Sequence, residues 1–494
     1  MTHHLEISPA DTGFMIMCAG LVQLMTPGLA FFYGGLVRHH NSIAMMSQNF
    51  VSLAVTSVVW VIFLFSLCFG ESWDPWGIIG NPTTFAFFQT VGMHEPLTNG
   101  TSGGTTARIP GLLFGFYQCM FAVITPALMT GAFADRMRYK AWLLFLILWL
   151  MLVYAPWCHM VWGGGLFAKM GVQDFAGGIV VHTTAGFSCN AILLVLGRRA
   201  VLPGGEEDMD IPHSVPLTFL GTALLWFGWF GFNCGSALSA NSVAATAGWN
   251  SQVSAAAAMM SWTIIDWFVK GKPGLVGKCV GCIAGLATVT PAAGFIQPWG
   301  ALIVGLVAAP SCYACVLLSK RLGFDDALDV WGVHGMGGAL GTILLGVLAD
   351  GAECADAATA PEWCVNPGTV VRSPKQFGIQ VMAAVLCAFH SFVMSYLLLK
   401  LIGLGFTLTY TAEEQHAIDT FEHGEVGYYH VTAEIRESSS PRAVSLEKAS
   451  PPPPSEQLAP EDLDVETTDA YESTEESESI AWATKKKGGG CVMM

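Results

Sequence analysis

Nine long blocks of the chain contain no Asp, Glu, Lys or Arg: 12–37, 39–70, 109–134, 141–168, 175–197, 211–265, 279–319, 330–349 and 376–399. A helix that crosses a hydrocarbon core needs roughly 20 apolar residues, and a charge at mid-depth is costly, so each block reads as membrane-spanning. Two blocks are double length. The first breaks around Ser239-Ala240-Asn241-Ser242 and the second between Pro291 and Pro298. The pattern therefore predicts an all-α polytopic membrane protein with eleven transmembrane helices. A further uncharged stretch, 75–94, is punctuated by Pro75, Gly77, Gly80 and Pro82 and reads as loop.

The loops set the orientation. Those after odd-numbered spans hold eleven Lys and Arg, whereas those after even-numbered spans hold only Arg108, Lys169, Arg372 and Lys375. The positive-inside rule then puts the N-terminus outside and the C-terminal tail in the cytosol. The sequon Asn99-Gly100-Thr101 falls in a loop assigned outside, as a glycosylation candidate. Cys354 and Cys364 share the last outer loop and are candidates for a disulfide. Residues 1–11 have no basic n-region, so no cleaved signal peptide is expected.

Composition narrows the class. Of 494 residues, 53% are hydrophobic and 12% charged, against roughly 25% charged in soluble domains. The net charge of −15 is concentrated late: residues 406–494 carry 18 acids and 6 bases. This excludes a soluble enzyme and a nucleic-acid binder, which would need clustered basic surface. Residues 1–405 form the eleven-span membrane domain, and 406–432 begin a cytosolic tail. Residues 433–494 are Pro-, Ser- and acid-rich with few aliphatics, and are expected to be disordered. The chain ends Cys491-Val-Met-Met494 after Lys485-Lys-Lys487, a prenylation pattern with a polybasic second signal.

Ionisable residues inside spans are functional candidates. His182 in the fifth span and His334 in the tenth sit in similar strings, Val181-His182-Thr-Thr-Ala-Gly186 and Val333-His334-Gly-Met-Gly-Gly338. They lie five spans apart, and an odd offset reverses helix direction. The plan is an inverted 5+5 repeat plus one extra helix, with the site near mid-membrane. If those helices began at Phe175 and Val330, the imidazoles would differ in depth by roughly 14 Å. They meet only if both helices start several residues earlier, which draws Asp174 and Asp329 in as buried helix-end acids that cap and set the field. Trp162 closes the fourth span at its outer end. Phe232 and Ser236 share a face of the sixth, with Ser236 one turn nearer the outside. An indole face beside a serine oxygen suits a small cation. The histidines alone also admit an intramembrane redox protein that uses them as haem ligands.

Longer strings then carry a resemblance. They are Thr26-Pro-Gly-Leu-Ala-Phe-Phe-Tyr-Gly-Gly35, Phe121-Ala-Val-Ile-Thr125, Gly131-Ala-Phe-Ala-Asp-Arg136, His159-Met-Val-Trp-Gly-Gly-Gly165, Asp174-Phe-Ala-Gly-Gly-Ile-Val-Val-His182, Gly228-Trp-Phe-Gly-Phe-Asn-Cys-Gly-Ser236 and Asp329-Val-Trp-Gly-Val-His-Gly335. Residues 1–430 or so resemble the ammonium transporter / methylammonium permease / Rhesus superfamily, on its ammonium transporter branch. The resemblance implies a homotrimer in the plasma membrane with one pore per subunit, transporting ammonium or methylammonium, with no enzyme activity and no metal or cofactor. It implies that Phe121, Trp162 and Ser236 bind the cation, that Phe121 and Phe232 gate the pore, and that His182 and His334 line it. Bare ammonium in a dry apolar pore has nothing to replace its water. The cation is therefore expected to be deprotonated outside, with ammonia passing neutral imidazoles that share a proton; electroneutral transport and electrogenic transport, with the proton carried separately, both stay open. Residues 413–430 resemble the family's regulatory tail, with Phe421 where plant relatives carry a phosphorylated threonine and Thr420 beside it. A nutrient sensor whose transport is secondary stays open beside the transporter reading.

Overall fold

The structure, a computed structural model, describes residues 6–97, 107–201, 211–361, 364, 367–368 and 370–428. Asn99, Cys491 and the acidic segment 433–494 lie outside the described residues, as do the modifications expected there.

Among the described residues there is no sheet. Ten helical segments are long and apolar enough to cross a membrane: α1 (Pro9–Leu36), α2 (His39–Phe69), α3 (Gly111–Met129), α4 (Tyr139–Met170), α5 (Gly178–Leu196), α6 (Val215–Gly235), α8 (Leu275–Ala292), α9 (Pro298–Arg321), α10 (Trp331–Leu348) and α11 (Pro374–Ile402). Between α6 and α8 runs α7 (Ser242–Lys270), a helix of 29 residues that is too polar to pass on composition. Its buried side explains the polarity. The Asn250 amide donates to the carbonyls of Ala293 and Ile296, both at 2.8 Å, and the Ser254 hydroxyl to Gly285 O at 2.9 Å. Asn250 satisfies two carbonyls of the turn after α8, where a leucine would leave them orphaned, and Ser254 adds a bond to α8 itself.

The helices start where local chemistry allows. Ser8, Ser214, Asn241 and Ser373 each accept a backbone N–H of the first turn, and prolines follow three of them within two residues. That is the N-cap-and-proline signature of a helix start. α1 packs along α6 with backbones in contact. A Cβ on Gly221 would stand 2.2 Å from Phe32 N, so only glycine fits there. The periphery is apolar: Phe50, Phe219, Trp249, Phe268 and Phe389 are all exposed, a surface suited to lipid. Cys354 and Cys364 are joined by a disulfide in the α10–α11 loop.

One end of the bundle gathers the basic loops. Arg199 grips Asp325 with two nitrogens, at 3.0 and 2.7 Å, and Arg136 lies 3.5 Å from the same carboxylate. The stretch after α11 docks on this end. The Asp419 carboxylate accepts from Ile43 N and Ala44 N at 3.0 and 2.8 Å, capping the α-helical part of α2, and Glu414 pairs with Arg138 at 2.5 Å. Thr420 is exposed there and its hydroxyl donates to Ala417 O.

Candidate functional site

At the opposite end from the arginine cluster, an open vestibule of about 470 Å³ is bordered by Phe121, Trp162, Asp174, Phe175 and Ser236. Trp162 stands where α4 breaks after Val161, before the three glycines 163–165. Its indole N–H donates to Asp174 O at 2.8 Å, which turns the ring against Phe121, edge to face at a centroid distance of 5.7 Å. Ser236 caps α6. Its hydroxyl donates to Phe232 O at 2.8 Å and lies 3.3 Å from the Tyr117 hydroxyl. Tyr117 packs edge-on against Phe121, so one tyrosine braces both the aromatic wall and the serine.

The rings of Phe121 and Phe232 lie at a centroid distance of 4.3 Å and close the floor of the vestibule. His182 follows, 6.1 Å from Phe232 between centroids and stacked on Trp229 at 5.6 Å. The two histidine rings stack at 5.3 Å with their Nδ1 atoms 3.3 Å apart. They are 1% and 3% exposed, and the apolar chamber around them holds only about 10 Å³. Paired haem ligands would face one another across a macrocycle, whereas these two ring nitrogens are in direct contact. Among the described residues no group of three or more His, Cys, Asp or Glu converges as a metal site.

The helices that bring the histidines together do not begin early. α5 starts at Gly178 and α10 at Trp331, each with a widened turn that contains its histidine. Gly186 lies against Gly335, whereas Gly338 lies against Gly178 and His182, so the two helices cross antiparallel. Fourteen residues follow each histidine in its helix, 182 to 196 and 334 to 348, or about 21 Å at 1.5 Å per residue. Running opposite ways from one contact, the two helices reach across about 42 Å, a bilayer with its headgroups. This corrects the depth expected from the sequence. The histidines meet midway because non-helical chain, not extra helix, leads into each helix.

Such chain must satisfy its own polar backbone, and it does. Gln173 N donates to Gln380 Oε1 (2.9 Å), Gln380 Nε2 donates to Gln173 O (2.7 Å), and Phe175 N donates to Pro291 O (3.0 Å). The buried Asp174 carboxylate accepts four N–H groups, from Gly177, Gly178, Ile179 and Val180, at 2.7 to 3.1 Å. Before α10 the matching acceptor is Asp326, whose Oδ2 takes Trp331 N at 2.9 Å. Asp329 takes a left-handed backbone (φ 55°), and its carbonyl accepts from Val333 N at 3.0 Å. Asp326 stands eight residues before His334, as Asp174 stands eight before His182. That spacing was the available signal for Asp326. For Tyr117, Trp229 and Gln380 no local signal existed, because their roles are tertiary.

The model of the Ammonium Transporter Family matches residues 13–428 of this chain. The ammonium transporter Amt1 of Archaeoglobus fulgidus is 40% identical over 423 residues, which cover 85% of this chain and all of that protein. The ammonium transporter of Bacillus subtilis is 40% identical over 420 residues, 85% of this chain and 98% of its own. Among solved structures, Mep2 of Saccharomyces cerevisiae superposes with a TM-score of 0.73 at 33% identity, covering 83% of this chain and 89% of that one.

Proposed function

The chain belongs to the ammonium transporter family, and on that premise we propose that it moves ammonium across the plasma membrane by splitting the cation at its outer end. Ammonium is held in the vestibule between the faces of Trp162 and Phe121 and the oxygen of Ser236, gives its proton to solvent water in that open vestibule, and passes as ammonia between the Phe121 and Phe232 rings to His182 and His334. The observation that carries this reading is the unbroken file Trp162–Phe121–Phe232–His182–His334, in which neighbouring ring centroids are 5.7, 4.3, 6.1 and 5.3 Å apart. Cation–π contacts at the entrance favour the charged form. The apolar chamber beyond it disfavours charge and tolerates ammonia.

The two histidines complement one another. With Nδ1 facing Nδ1, one ring donates and the other accepts, so neutral partners must be opposite tautomers. One Nε2 is then bare and the other protonated. The pair offers passing ammonia a donor and an acceptor, and shares one proton that switching tautomers can move. Around this path we place eleven spans, α1 to α11, in an inverted 5+5 arrangement plus one, with the N-terminus outside. Residues 406–432 form a cytosolic tail, and three copies associate. The basic loops and the docked segment share the end of the bundle away from the vestibule, as that orientation requires. Ammonium-evoked current or uptake in a heterologous membrane tests the reading. Wild type should transport, Trp162→Leu should need more ammonium, and His182→Ala should transport little; no uptake by any version would overturn it.

A further inference from the structure

Ser236 is delivered by the last residues of α6, but that helix does not hold it firmly. The N–H groups of Ser236, Ala237 and Leu238 reach back only three residues, to Asn233, Cys234 and Gly235, at 3.2, 3.2 and 2.8 Å. The chain then turns through Leu238 with φ +54°, a left-handed conformation that a residue with a side chain keeps only with outside support. Ala237, Leu238 and Asn241 border the vestibule beside Ser236, so any drift of this turn reshapes the cation site.

The support comes from the other end of the sequence. Asp11, in the first turn of α1, accepts two hydrogen bonds at Oδ1: from the Ser239 hydroxyl at 2.9 Å and from Ala240 N at 2.8 Å. Asp11 is itself fixed, being 9% exposed with its own N–H on the Ser8 hydroxyl oxygen. Ser8 N donates to Arg108 O at 2.8 Å, and Arg108 Nε donates to Glu6 O at 3.0 Å. Arg108 stands three residues before the start of α3, the helix that carries Tyr117 and Phe121. The outer end of α1 thus ties the turn bearing Ser236 to the entry of the helix bearing the aromatic wall.

We propose that Asp11 is a positioning residue for the outer cation site: its carboxylate clamps the Ser239–Ala240 turn and so sets where Ser236 and Leu238 stand. This rests on reading Phe121, Trp162 and Ser236 as that site. Two charge-assisted hydrogen bonds on a turn with no regular structure are enough to fix its placement.

Methylammonium uptake into ammonium-transport-deficient cells expressing the full chain, normalised to surface protein, tests it. Asp11→Ala should raise KM by roughly three- to tenfold, the worth of one or two net hydrogen bonds, and leave Vmax unchanged. Asp11→Asn keeps an acceptor at the same place and should stay within twofold of wild type. Ser239→Ala, which removes one of the two bonds and leaves Asp11 in place, should fall between. In a Ser236→Ala background, Asp11→Ala should add little, because the oxygen it positions is gone. A lowered Vmax at constant KM in Asp11→Ala, or full additivity with Ser236→Ala, would overturn the proposal. If Trp162→Leu raises KM and Asp11→Ala does not, the clamp alone fails. If neither variant moves KM, the reading of the cation site fails and takes the clamp with it.

Discussion

Asp174 serves two parts of the site with two different atoms. Its carboxylate takes four backbone N–H groups at the start of α5, and its carbonyl takes the Trp162 indole. The helix of the first pore histidine and the ring at the entrance therefore share one anchor. Removing the carboxylate would orphan several buried donors, each unsatisfied group costing about 1–3 kcal/mol. Asp174→Ala should accordingly destabilise the protein by at least ~3 kcal/mol and abolish uptake. Asp174→Asn, which keeps one acceptor oxygen, should lose roughly half of that stability. Thermal unfolding of the purified protein in detergent reads both, and an alanine variant as stable as wild type would contradict the capping role. A capping acid at this place was expected from the sequence on grounds of depth, which required α5 to begin earlier; the cap is there, but those grounds fail, because α5 starts only at Gly178. The identity of its counterpart was not legible. Asp329 is nearer His334, but only the eight-residue spacing shared with Asp174 singles out Asp326.

Among the helices, the antiparallel crossing of α5 and α10 depends on glycine at the fourth residue after each histidine. A Cβ on Gly186 would stand 2.1 Å from Gly335 Cα, and one on Gly338 would stand 2.6 Å from His182 Cβ. Carbon atoms pack no closer than about 3.5 Å, so an added methyl must drive the helices apart by more than ~1 Å. The 3.3 Å contact between the histidines would then open. Gly186→Ala should reduce transport more than tenfold at normal surface expression; wild-type uptake would show that the pair need not touch. Most helices were legible because membrane helices exclude charge, and the blocks free of it mark α1 to α6 and α8 to α11. α7 was legible by the same rule but not by apolarity, since its buried face spends polar side chains on α8. The starts of α5 and α10 were not legible. That of α5 depends on Gln380 and Pro291, which are distant in sequence and reach the backbone only in the folded bundle; that of α10 rests on Asp326.

In the whole molecule, the vestibule end and the arginine end do different work. At the arginine end, Asp325 joins the loops after α5 and α3 to the one before α10. Burial alone would raise its carboxyl, but the hydrogen bonds and charge of Arg199, with Arg136 beside them, outweigh it and hold it down at about 2. A carboxyl depressed in the folded state contributes stability above its unfolded value, near 4, and loses it as pH falls toward 2. Asp325→Asn should therefore lower Tm at pH 7, by an amount that shrinks below pH 4. An equal deficit at pH 7 and pH 3 would argue against an ionic role. On the proposed reading, recruitment at the vestibule and conduction past the histidines fall to different residues, and a kinetic split can separate them. The most direct measurement is methylammonium uptake into proteoliposomes of the purified protein, fitted for KM and Vmax in wild type, Trp162→Leu, His182→Ala, His334→Ala and the double histidine variant. The account predicts that Trp162→Leu raises KM with Vmax retained. Each histidine variant should lower Vmax at near-constant KM, and the double variant should be little worse than either single one, because the two rings act as one unit. Histidine variants that keep the wild-type Vmax would contradict the claim that substrate passes the His182–His334 pair.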